Sequence, residues 1–331
     1  MRLACIGSNI ESEYCLLAFI ERGLAIDLVI TRPENNSRNI SDYVNLHPLC
    51  RKHEIAVIST TNVNSDETIL KVKTLGLDVL LTLGWSQLFR TDFRSCFKFV
   101  VGSHPTLLPR GMGRAPIPWT ILNKLEESAV SFFLIDEGVD SGDLILQKKF
   151  VIDYPFSATE LYAVVAKYLS EGFIQIIEDL QTNGKFSLEK IKVNYMESYH
   201  TAKRTLVDGI LDFKNPAEDI ELLVRAVTHP YPGAYSYYQS RRLHFFSARV
   251  ESSRDYYGSP GQILEVNDSE IRIACKNGSV WLGSIIDDSG SNVDTNFFKL
   301  HEKLGYHYED EIHELKKELK ILKEKFYDFR K

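Results

Sequence analysis

Short apolar runs at residues 3–6, 26–30, 55–58, 79–83 and 97–101 are separated by longer segments of mixed character. This alternation predicts a βαβ series and hence an α/β fold with a doubly wound, Rossmann-like parallel sheet. Residues 129–135 and 144–152 are again apolar and β-branched, which predicts two further strands flanking an acidic loop. Pro116 and Pro118 suit the first turn of a helix, where no amide donor is needed. Residues 157–180 read as a long amphipathic helix, with Ser157 as its cap and Glu160 three positions on.

From about residue 208 the pattern changes to short aromatic runs at 234–238, 243–250, 261–266, 270–274 and 280–286, the spacing of a small β-barrel or open sheet. Tyr308, Ile312, Leu315, Leu319, Leu322, Phe326 and Phe329 then alternate by fours and threes, about three heptads of a helix. Glu309, Asp310 and Glu311 open that helix while Lys323, Lys325, Arg330 and Lys331 close it, which complements its dipole. Such a helix either pairs with a second copy, giving a homodimer, or packs on its own subunit. Three regions follow: 1–205, 206–290 and 291–331.

The chain has 331 residues and a net charge of −6, so no chain-wide basic field gathers phosphates, and a nucleic-acid partner is disfavoured. Its apolar runs fall far short of the roughly 18 residues that span a bilayer. Met1 and Arg2 lead straight into a strand-like run, with no signal peptide. Five scattered cysteines suit buried thiols in a reducing cytoplasm, and with no CxxC or HxxxH anywhere no metal is expected.

His104 follows the apolar run 97–101 and precedes Pro105, which offers no donor to continue a strand. It therefore sits at a strand's C-terminal end, the edge where open α/β sheets bind ligands and where an imidazole can act as a base. Taken singly, a His before Pro is also an ordinary turn residue, and the acidic stretch from Asp136 to Asp143 is also an ordinary Gly-containing turn. The turn Gly7-Ser8-Asn9-Ile10-Glu11-Ser12 leads into the first helix, where backbone N–H groups could meet an anion.

In combination these segments are more specific. His104-Pro105-Thr106-Leu107-Leu108-Pro109, Gly113-Arg114-Ala115-Pro116 and Asp136-Glu137-Gly138-Val139-Asp140-Ser141-Gly142-Asp143 resemble the folate-dependent formyltransferases. That family includes enzymes acting on methionyl-tRNA, glycinamide ribonucleotide and sugar nucleotides. Pro230-Tyr231-Pro232-Gly233 and Pro260-Gly261-Gln262 resemble its C-terminal module, which implies an OB-like second domain.

The resemblance implies N10-formyltetrahydrofolate as formyl donor, held by the loop Gly84, Trp85, Ser86, Gln87 and Leu88 and by Ile135, Asp136, Glu137, Gly138 and Val139. It implies His104 as base and Asp140, in Asp-Ser-Gly, rather than Asp143 or Asp136, as the acid orienting it. Substrate contacts fall on Ser8, Asn9, Pro105, Thr106, Arg110 and Arg114.

Two departures stand out. The family's usual Asn two positions before the His, a donor to the formyl oxygen, is Gly102 here. Loss of one such donor typically costs about 100- to 1,000-fold in rate. Protonated His104, the Ser103 hydroxyl or a backbone N–H are the substitutes, His104 being preferred. Met112 stands where many relatives carry Arg.

The acidic balance, the short 32–38 loop and the terminal helix favour a sugar-nucleotide substrate, a UDP- or dTDP-linked amino sugar. The alternatives are a methionyl-tRNA enzyme, which needs a positive channel, and a non-catalytic folate- or nucleotide-binding homologue.

Overall fold

The computed structural model describes residues 1–34, 42–136, 142–184, 191, 195–253, 255, 257–305 and 308–328. It divides into one unit of residues 1–206 with 225–232 and another of 207–224 with 233–331.

The first unit is built on a seven-stranded sheet. Its strands are β1 (Leu3–Gly7), β2 (Leu28–Thr31), β3 (Ala56–Ser59), β4 (Val79–Leu83), β5 (Phe99–His104), β7 (Glu127–Leu134) and β8 (Leu144–Val151), with a short β6 (Met112–Gly113) pairing in parallel with β9 (His200–Thr201). The order is β3-β2-β1-β4-β5-β7-β8. The first five strands are parallel, as the alternation predicts. β7 runs antiparallel to β5, and β8 antiparallel to β7, the latter because those two are joined by a loop too short for a crossover. The winding reverses between β1 and β4, so the crevice beyond their C-terminal ends is the ligand position.

Helices cover both faces. On one, Ala4, Ile6, Leu28, Ile30, Val72, Leu80, Phe93 and Val100 form a continuous core. On the other lie α1 (Ile10–Glu21) and α6 (Ala158–Asn183). Ser157 and Glu160 close the predicted capping box of α6. Phe173 of α6 meets Phe19 and Phe132 edge-on, with centroids 6.5 and 5.0 Å apart. Gly172 permits that approach, since a Cβ there would lie 2.1 Å from the Phe132 ring. Short helices α2 (His47–Lys52), α3 (Asp66–Thr74) and α4 (Thr91–Arg94) lie between the parallel strands, and the predicted Pro-initiated helix is α5 (Pro116–Leu122).

The second unit carries a five-stranded antiparallel sheet of β10 (Ala234–Tyr238), β11 (Arg241–Glu251), β12 (Ile263–Val266), β13 (Glu270–Ala274) and β14 (Ser279–Asp287), ordered β10-β11-β14-β13-β12. Arg272 is buried in it and pairs with Asp255 at 2.8 Å and Glu265 at 2.6 Å, so its charge is neutralised where it is desolvated. A terminal helix spans Tyr308–Asp328, and Ile312, Leu315, Leu319, Leu322 and Phe326 along it are exposed.

Candidate active site

A cavity of about 340 Å³ opens at the C-terminal edge of β4 and β5. His104, the last residue of β5, lines it and is buried. The ring Nε2 donates to the Gly111 carbonyl at 2.9 Å. A carbonyl only accepts, so Nε2 carries the hydrogen and Nδ1 is the basic atom of the neutral ring. The left-handed backbone of Gly111 (φ +72°) turns that carbonyl back to the imidazole. The turn between them is pinned by Ser131, which donates to the Thr106 carbonyl at 2.6 Å and accepts from the Leu108 amide at 3.2 Å.

One wall of the cavity comes from β4 and the segment after it: Thr82, Gly84, Trp85, Ser86, Gln87, Leu88 and Phe89, faced by Ile135. Asn62 and Asn64 brace this loop. Gln87 donates to the Asn62 side chain at 2.8 Å, and Asn64 bonds the Leu88 carbonyl at 2.9 Å and the Arg90 amide at 2.8 Å. The Arg32 guanidinium lies 5.2 Å from the centroid of the Trp85 ring. The Thr82 hydroxyl and the Trp85 indole N–H are buried without a hydrogen-bond partner among the described residues. Gly102 has no room for a side chain: a Cβ would stand 2.8 Å from Phe133 and 2.9 Å from Ile135.

The opposite wall has Glu11, Asp42, Tyr162 and Tyr231 beside apolar Ile117, Val130, Val165 and Leu169. Tyr162 donates its phenol to Asp42 at 2.8 Å, and the Asn9 amide reaches the same carboxylate oxygen at 3.2 Å. Burial, then the neighbouring Asp42, pushes the Glu11 carboxyl up to about 7. Burial and then Glu11 push the Tyr162 and Tyr231 phenols upward too, so both stay protonated as donors.

Of the residues singled out from the sequence, His104, Ser103, Pro105, Arg114, Gly84, Trp85, Ser86, Gln87, Leu88 and Ile135 line this cavity together. Ser103 points its hydroxyl at the Thr82 carbonyl, 3.4 Å away. Thr106 and Arg110 border a different hollow, and Arg110 pairs with Glu197. Ser8 is buried at the end of β1, and Asn9 caps α1 by accepting from the Ser12 amide at 3.0 Å. Neither lines the cavity, although Asn9 holds Asp42, which does. Asp136 is exposed. Glu137, Gly138, Val139 and Asp140 lie outside the described residues.

Glu11, Asp42, Thr82, Phe133 and Tyr162 were not singled out from the sequence. Tyr231, read there as part of the C-terminal module, belongs to the first unit and lines its cavity. The one signal available for Thr82 was its hydroxyl in an otherwise aliphatic strand, VLLTL. Among the described residues no three His, Cys, Asp or Glu side chains gather as they would around a metal ion. No described helix is long and apolar enough to cross a membrane.

Comparison with known proteins gives the same direction. The chain is 25% identical over 301 residues to the methionyl-tRNA formyltransferase of Agathobacter rectalis, covering 90% of this chain and 96% of that one. Among solved structures it is similar to the Helicobacter canadensis N-formyltransferase in complex with folinic acid and dTDP-3-aminofucose. That match has a TM-score of 0.60 and 19% identity, covering 86% of this chain and 99% of the other. It is also similar to HypX of Aquifex aeolicus in complex with tetrahydrofolic acid, with a TM-score of 0.66 and 16% identity over 93% of this chain and 51% of HypX. Residues 8–177 match the formyl transferase family model and residues 205–301 match the model of the formyl transferase C-terminal domain, so the chain belongs to the formyltransferase family.

Proposed function

We propose that this formyltransferase takes its formyl group from N10-formyltetrahydrofolate and delivers it to the amine of a nucleotide-linked amino sugar carried on UDP or dTDP. The observation that carries the sugar is the wall of Glu11, Asp42, Tyr162 and Tyr231 in the same cavity as His104. Carboxylates and phenols are acceptors and donors for ring hydroxyls, and adjacent Ile117, Val130, Val165 and Leu169 suit a deoxy carbon or methyl group. A methionyl side chain offers those polar groups only a weakly accepting thioether. The net charge of −6 likewise supplies no general attraction for tRNA.

The formyl donor fits the other wall. Trp85, Phe89 and Ile135 supply flat apolar surface, and the Trp85 N–H and Thr82 hydroxyl, without a partner among the described residues, are buried polar atoms that a heterocycle or formyl group could satisfy. When bound, the donor supplies the activated one-carbon unit. The chain's own residues do the rest. His104 takes the proton that the attacking amine loses, through Nδ1, while Nε2 stays tied to Gly111. Asp140 supports the positive charge that ring acquires, by resemblance to the family. Gln87, Leu88 and their Asn62 and Asn64 braces hold the donor loop in place. Arg114, exposed at the cavity mouth, is the cation for the substrate's phosphates.

We further infer a cytoplasmic homodimer joined through the terminal helix, whose five described heptad side chains face solvent. The test of the substrate is incubation with 10-formyltetrahydrofolate and a panel of UDP- and dTDP-linked amino sugars. Folate release and the mass of the sugar product are read together. Turnover of methionyl-tRNA with no sugar turned over rejects the reading.

A further inference from the structure

We propose that the Thr82 hydroxyl is the hydrogen-bond donor to the formyl oxygen in this enzyme. The inference rests on the chain's being a formyltransferase and is independent of which amine it formylates.

Acyl transfer to an amine develops negative charge on the carbonyl oxygen, and a site without a donor there loses most of its rate. Gly102 supplies no side chain, and one built there would have to displace Phe133 and Ile135, whose side-chain atoms lie 2.8 and 2.9 Å from its Cβ position. The two neighbouring groups with donor hydrogens are committed elsewhere. His104 Nε2 bonds the Gly111 carbonyl, and Ser103 bonds the Thr82 carbonyl.

Thr82 is next to Gly102. The β4–β5 register pairs Leu80 with Val100 and Leu81 with Val101, and one step further sets Thr82 beside Gly102. Leu80 and Val100 pack in the same core cluster, so two residues on, Thr82 and Gly102 face that same side of the sheet. Both line the cavity with His104.

Thr82 is 8% exposed, and its Oγ1 has no partner among the described residues. An unsatisfied buried hydroxyl is costly, and a ligand oxygen that accepts from it offsets that cost. A χ1 rotation of about 120° exchanges Oγ1 with Cγ2, and here it breaks no hydrogen bond.

The amine lone pair forms the new N–C bond while the carbonyl π pair moves onto oxygen, held by Thr82 O–H, and His104 takes the amine proton. The pair then returns, the C–N10 bond breaks, and N10 leaves with a proton from His104. Thr82 keeps its own proton throughout.

The experiment compares Thr82→Val and Thr82→Ser with wild type, using whichever amine acceptor the wild type turns over. Thr82→Val lowers kcat about 100-fold with KM for the formyl donor little changed, and Thr82→Ser restores most of the rate. The melting temperature of Thr82→Val does not fall, because the deleted hydroxyl has no partner among the described residues. A kcat unchanged in Thr82→Val, or lowered equally in Thr82→Ser, overturns the proposal.

An acceptor-free measurement runs beside it: the infrared carbonyl band of bound 10-formyl-5,8-dideazafolate labelled with ¹³C at the formyl carbon. The band moves to higher wavenumber in Thr82→Val than in wild type and Thr82→Ser. Binding with an unshifted band overturns the Thr82 assignment alone. Failure of the probe to bind wild type overturns the formyl-donor reading of the cavity and the assignment with it.

Discussion

The two walls around His104 treat their polar atoms in opposite ways. On the β4 side, Thr82 and Trp85 bury a hydroxyl and an N–H with nothing among the described residues to bond them. On the α1–α6 side, Asp42 already accepts from Tyr162 and Asn9, and the strain there is electrostatic, two carboxyls lying close in a desolvated pocket. Each wall is thereby prepared for a different ligand group. Unsatisfied neutral atoms await a specific acceptor and gain most when it arrives. A preorganised cluster of carboxyls and phenols presents a fixed pattern to hydroxyls and selects among substrates.

The comparison can be broken in several places. His104→Ala removes the base shared by both walls and lowers kcat about 1,000-fold, measured by folate release, with binding of both substrates retained.

Glu11→Gln acts through pH. The folded chain holds the Glu11 proton up to about 7, against an ordinary value of 4.5, so this group's contribution to stability is full below about 4.5 and is lost as pH rises through about 7. Between about pH 5 and about pH 8 the wild type therefore loses stability, on the order of 3 kcal/mol, that Glu11→Gln keeps in urea titrations.

Gly102→Ala drives a methyl group into Phe133 and Ile135 and costs about 2 kcal/mol of stability by thermal melting. Tyr162→Phe leaves Asp42 without its phenol donor. It raises KM for the acceptor about tenfold, with KM for the formyl donor unchanged. If Tyr162→Phe moves both KM values together, the two walls do not divide the substrates.

Much of the catalytic strand was legible because its signals are local. An apolar run stopped by Pro105 put His104 at a strand end, and Ser157 with Glu160 announced α6. The direction of β7 and β8 was not legible, since alternation identifies a strand but not its partner's polarity. The motif puts Arg110 among the substrate contacts, yet the side chain turns toward Glu197, far along the chain. The acidic wall was invisible for the same reason: Tyr162 meets Asp42 across 120 residues, and no local pattern encodes such a meeting. Gly102 was visible as a departure, but only the packing of Phe133 and Ile135 shows that the position is filled.

The most direct test of the central claim is a competition in one vessel. The protein is given 10-formyltetrahydrofolate, a dTDP- or UDP-linked amino sugar and methionyl-tRNA, and both acceptors are analysed by mass. The sugar gains one formyl group while methionyl-tRNA stays unmodified; formylated methionyl-tRNA beside an unmodified sugar contradicts the account.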